Sequence, residues 1–107
     1  MIDRRRYPRI PVHYDLAYKK TNGKMDSIKR ALVQNVSRVG MKIKYSDNLR
    51  KDDMLRLDVY KTVDSEPITC FGRVVWHQES PLIYGEKEAG ICFTRIGWSD
   101  TGTLVET

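Results

Sequence analysis

From residue 10 onward the apolar positions recur every second residue, not every third or fourth. Ile10, Val12, Tyr14, Leu16 and Tyr18 alternate with polar or small neighbours, and Met41, Ile43 and Tyr45 do the same, as do Leu55, Leu57 and Val59. This period marks strands with one buried face, because successive side chains of an extended chain point to opposite sides. CFGRVVW (70–76) and AGICFTRI (89–96) are rich in β-branched and aromatic residues and also read as strands. Continued alternation places Trp76 on the same face as Gly72 and Val74.

Turn formers separate these stretches. TNG (21–23) predicts a hairpin between strands at about 11–19 and 28–36. SDNLRKDD (46–53) is a polar connection, VDSEP (63–67) a turn, and ESPLIYGEKE (79–88), with Pro81 and Gly85, joins the last two strands. The pattern predicts about six strands and no amphipathic helix of useful length, although the final GWSDTGTLVET permits a short helix from Ser99 or Asp100. Antiparallel strands in this number close into a small barrel or a sandwich, which removes exposed edges.

Composition narrows the class. A chain of 107 residues is one domain, large enough to hold a core without disulfides or metals. No apolar run reaches the length of a membrane span, and the start lacks a signal peptide's apolar stretch, so a cytoplasmic protein with no membrane partner is expected. Cys70 and Cys92 are then expected as reduced thiols. Together with His13 and His77 they match no zinc spacing, so no metal is expected. Neither histidine forms a local motif with a nucleophile, and Asp52 and Asp53 are adjacent, a poor acid–base pair. No catalytic residue and no enzyme activity are expected.

Charge is more informative by position than by amount. The formal net charge is +5, but four of the ten arginines lie in RRRYPR (4–9). A solvated tail, a nucleic-acid arm and a phosphate clamp would all look like this. The second notable stretch is NVSRVG (35–40). Asn35 offers an amide, Ser37 a hydroxyl, and Gly40 permits a positive φ or a close backbone approach. Alone it is an ordinary Asx- or Ser-type turn.

Taken together the two stretches are specific. Arg5-x-x-x-Arg9, then Asn35-x-Ser37-x-x-Gly40, then the strands GRVVW (72–76) and GICF (90–93) resemble, in order and spacing, the PilZ domain, the bacterial receptor module for cyclic di-GMP. The resemblance covers about residues 4–98. It implies an all-β fold, a six-stranded antiparallel β-barrel (a PilZ-like split barrel), here with a short or absent C-terminal helix. The expected organisation is a flexible arginine arm at 1–9, the barrel at 10–98 and a tail at 99–107.

The resemblance also implies a ligand and no cofactor. Arg5 and Arg9 would grip guanine and phosphate, Asn35 and Ser37 would meet a guanine edge, and Gly40 would hold the turn. Arginine suits the task because its planar fork matches phosphate oxygens and guanine O6 and N7, and its face stacks on a purine. The family more often has aspartate where this chain has Asn35, which gives up a charge-assisted bond. Arg4 and Arg6 are further candidate contacts, with Arg4 reaching a second ligand molecule, so that two cyclic di-GMP molecules bind per domain. Trp76 has two readings, a guanine stack or a cap on the core, and the core cap is favoured. Trp98 is expected as a lid over the barrel. Signalling would come from ligand-induced ordering of the arm. The competing function is a small basic β-barrel that binds single-stranded nucleic acid or RNA. It is disfavoured because the basic cluster lies in the arm and no strand shows the paired exposed aromatics of a stacking platform.

Overall fold

The computed structural model describes residues 8–21 and 27–105, without the side chains of Trp98, Ser99 and Thr101. The expected hairpin tip at Asn22 and Gly23, and the side chain of Trp98, therefore lie outside the described residues. Six strands follow in order: β1 (Ile10–Lys20), β2 (Lys29–Val36), β3 (Gly40–Tyr45), β4 (Met54–Tyr60), β5 (Ile68–Glu79) and β6 (Lys87–Arg95). They form a closed barrel in the order β1-β2-β3-β6-β5-β4, and every neighbouring pair is antiparallel. Closure, not a sandwich, is how the sheet satisfies its edges.

The alternating residues supply the core. Leu16, Tyr18, Val33, Ile43, Leu55, Leu57, Val59 and Val74 are all buried inside the barrel. Each fully buried large aliphatic side chain contributes about 1.5–3 kcal/mol relative to leaving it in water. Leu49 departs from the expected pattern. It sits in the polar connection after β3 yet is buried with the core, a placement that periodicity could not supply because the segment is no strand.

An eight-residue helix, α1 (Trp98–Val105), ends the described chain. β1 pairs with β4 only from Asp15 to Lys20, so the first half of β1 has no β4 neighbour. At this point the helix is fastened to the wall. The Tyr14 hydroxyl donates to the Leu104 carbonyl at 3.2 Å, Lys61 Nζ donates to the Thr103 carbonyl at 2.7 Å, and Leu104 is fully buried. Burial pushes the Tyr14 hydroxyl above its ordinary pKa, so it remains a donor at neutral pH. No helix among the described residues is long and apolar enough to cross a membrane.

Candidate functional site

β2, which leads into NVSRVG, and β5, which carries GRVVW, do not alternate strictly, and their irregularities build the site. In β2 the register steps from Val33↔Ile43 to Asn35↔Lys42, so Gln34 is an extra residue. In β5 it steps from Val74↔Ile91 to Trp76↔Gly90, which makes Val75 extra. A bulge of this kind shifts the phase of every side chain after it. Val33 and Val74 point into the core, whereas Asn35 and Trp76, two residues later, pair with residues on the outer face. This corrects the expectation that Trp76 shares a face with Val74. It also removes the favoured reading of Trp76 as a core cap, since the indole is half-buried on the outside.

The bulges put four strands' residues into one lateral row. Asn35 on β2 faces Lys42 on β3, Lys42 faces Gly90 on β6, and Gly90 faces Trp76 on β5. With neighbouring strands about 4.8 Å apart, the row extends over roughly 14 Å of outer surface. Beside it lies an open groove of about 390 Å³, lined by Arg9, Ser37, Gly40, Val75, Trp76 and Cys92 among others. Among the described residues that line it, Arg9 alone is charged. A larger groove of about 500 Å³ lies between β1–β3 and the 83–86 loop, and none of the described motif residues line it.

Four of the expected residues thus meet at one place: Arg9, Ser37, Gly40 and Trp76. Asn35 does not line the groove. It stands in the adjoining row with its side-chain oxygen buried and without a hydrogen-bond partner among the described residues. Arg4, Arg5 and Arg6 lie outside the described residues. Val75, Gly90, Cys92 and Lys42 were not anticipated. The alternation of GICF already puts Gly90 and Cys92 on one face, but only pairing with β3 and β5 shows what that face meets.

The serine turn is built from its own residues. The Ser37 amide donates to the Gly40 carbonyl at 2.9 Å, and the Val39 amide donates to Ser37 Oγ at 3.2 Å. Ser37 is buried, and its hydroxyl shapes the loop that joins β2 to β3. Gly40 is required by a close approach and not by an unusual φ. A Cβ there would stand 2.1 Å from the Ile91 carbonyl oxygen, a backbone atom of β6 that cannot step aside.

Lys42 carries a charge pair at the site's edge. Its Nζ lies 3.2 Å from Glu88 Oε2, and Gln78 Nε2 donates to Glu88 Oε1 at 3.3 Å. Burial pushes the Glu88 carboxyl up. Its hydrogen bonds to Lys42 and Gln78 and the positive charges of Lys42 and Lys44 more than offset that, and hold it below the ordinary glutamate range. The two thiols differ sharply. Cys70 is buried in the core and pushed up to about 12, first by burial, whereas Cys92 is half-exposed in the groove. Among the described residues no group of three or more histidine, cysteine, aspartate or glutamate side chains could hold a metal ion.

Comparison with known proteins gives the same architecture. The family model described as PilZ domain matches residues 3–106. No curated protein matches the chain. Among solved structures, the Bacillus subtilis inhibitor of motility MotI/DgrA is similar with a TM-score of 0.78 at 19% identity, over 97% of this chain and 49% of that one. The PilZ domain of YcgR from Escherichia coli, solved with c-di-GMP, has a TM-score of 0.74 at 17% identity, over 95% of this chain and 86% of that one. The K. pneumonia MrkH–c-di-GMP complex has a TM-score of 0.73 at 16% identity, over 96% of this chain and 50% of that one. This chain therefore spans about half the length of the first and third of these proteins. At such identities the likeness is one of fold.

Proposed function

The chain belongs to the PilZ domain family, and from that premise we propose that it is a receptor module for cyclic di-GMP and not an enzyme. The observation that carries the reading is convergence. Arg9, Ser37 and Gly40, which come from two separate sequence motifs, line one groove together with Trp76. Two of the similar solved structures are described with c-di-GMP. In this reading Arg9 and Arg5 clamp phosphate and guanine, Asn35 turns its unpartnered oxygen to a guanine N–H, and Trp76 stacks on a guanine. Ser37 and Gly40 act by shaping the turn that follows Asn35. The ligand-binding part of the protein works in the cytoplasm, where the messenger would be met.

The rest of the arginine arm completes the site. Arg4 and Arg6 add cations beside the clamp, and Arg4 recruits a second ligand molecule, whose phosphates double the anionic charge to be neutralised. Ligand binding orders the arm over the groove, and the changed surface is what a downstream partner reads. The ordering opposes binding, and the phosphate and guanine contacts offset it.

Calorimetric titration with cyclic di-GMP tests the reading. Wild type should bind, and Arg5→Ala and Arg9→Ala should each weaken binding at least tenfold. No binding by wild type at ligand concentrations of tens of micromolar would sink it. Saturation at one ligand per chain, for wild type and Arg4→Ala alike, removes the second molecule. Equal hydrogen-exchange protection of the arm with and without ligand removes the ordering step. An oligonucleotide in place of the ligand should bind weakly and lose that binding steeply with salt.

A further inference from the structure

Gly90 has an unusual neighbour for a strand glycine. A Cβ at Gly72 would meet Ile91 Cγ2 and Leu57 Cδ1 in the core, so that glycine serves core packing. A Cβ at Gly90 would instead meet the pyrrole ring of Trp76, at 2.1 Å from Nε1, 2.5 Å from Cε2 and 2.8 Å from Cδ1. Three adjacent ring atoms this close place the point above the ring face, not beyond its edge. The pyrrole edge of the indole therefore covers the bare Cα of Gly90 with one face toward it. Both residues line the groove with Arg9. On the far side of Gly90, Lys42 pairs with Glu88 at 3.2 Å.

We propose that Gly90 is a positioning residue for guanine recognition. Its missing side chain is the seat that holds the Trp76 indole parallel to the barrel wall, so that the free ring face is presented to a purine. The inference rests on the cyclic di-GMP reading and deepens it. The reason is geometric. A tryptophan on a strand can adopt several rotamers, and only one that lies flat offers an unobstructed face. A methyl group at position 90 occupies the place of the pyrrole ring and must swing the indole out of that orientation. The backbone bulge at Val75 brings Trp76 to the outer face, and Gly90 then fixes its plane.

The test uses the full chain carrying Trp98→Phe, so that Trp76 is its one tryptophan. Without ligand, Gly90→Ala should shift the Trp76 emission to longer wavelength and raise its quenching by iodide, while the far-ultraviolet circular dichroism stays that of the barrel. With cyclic di-GMP, Gly90→Ala should weaken binding about tenfold, the scale of one lost base stack. In a Trp76→Ala background the same substitution should have no further effect on affinity. Weakening of equal size in both backgrounds, or none in either, overturns the proposal. Should the added methyl unfold the barrel, the single-tryptophan protein decides alone. Saturating ligand should quench Trp76 and shield it from iodide, and unchanged emission at saturation overturns the proposal. If wild type binds no cyclic di-GMP, the receptor reading fails and the guanine role with it. The emission of Gly90→Ala still reports whether the glycine seats the indole.

Discussion

β4 and β5 are neighbours in the barrel and treat the same alternating code in different ways. β4 pairs without a register shift on either side, and its apolar residues Leu55, Leu57 and Val59 are all fully buried. β5 shifts register twice against β6, and beyond Val74 the inward phase is lost. The straight strand keeps its inward phase throughout and turns Leu55, Leu57 and Val59 into the core. The bulged strand turns a large aromatic outward, which forgoes core burial and leaves an indole in a groove. The candidate site of this barrel lies where the sheet breaks its own period.

That contrast makes Leu57→Ala the most damaging of the substitutions considered. Removing a fully buried leucine from a straight strand should lower stability by about 2–5 kcal/mol in denaturant unfolding. The affinity of the folded fraction for cyclic di-GMP should not change. Gly40→Ala comes next, since its methyl meets β6 backbone, and a loss of about 1–3 kcal/mol is expected from the same measurement. Trp76→Ala should invert the pattern, with stability changed by about 1 kcal/mol or less and ligand affinity lowered about tenfold. A stability loss at Trp76 as large as that at Leu57 would break the comparison between the strands.

Smaller effects sharpen it. Glu88 has a lowered pKa in the folded state, so its contribution to stability is present above the unfolded glutamate value and is lost as pH falls through the folded value. Glu88→Gln should therefore lower the urea midpoint at neutral pH, by about 1 kcal/mol in stability, because Lys42 stays partly open to solvent. The difference from wild type should close in acid. The thiols give the mildest readout. Cys92 in the groove should react with a maleimide reagent while Cys70, buried and pushed up to about 12, stays inert in the native barrel. Cyclic di-GMP should slow labelling at Cys92. Labelling that ignores saturating ligand would move the ligand out of this groove.

Much of the barrel was legible beforehand because alternation is a local property. Each strand appears where its apolar period or β-branched run lies, and the motif turn at Ser37 falls between β2 and β3. Leu49 was hidden because a single leucine in a polar segment carries no period. Trp76 was misplaced for a more general reason. A bulge adds one residue without changing the kinds of residue around it, so GRVVW looks the same with Trp76 inward or outward. Arg9, Ser37 and Gly40 could be named from the family resemblance, but their meeting in one groove depends on β6 lying between β3 and β5.

Local patterning alone is enough to establish an antiparallel β protein with an arginine-rich start and a serine turn, because side-chain phase and turn chemistry are set by neighbours a few residues away. Which face Asn35 and Trp76 occupy, and the seating of the indole against Gly90, come from the pairing of strands. Those outcomes depend on register between strands far apart in the chain, and a one-residue slip in register exchanges the inside of a barrel for its outside.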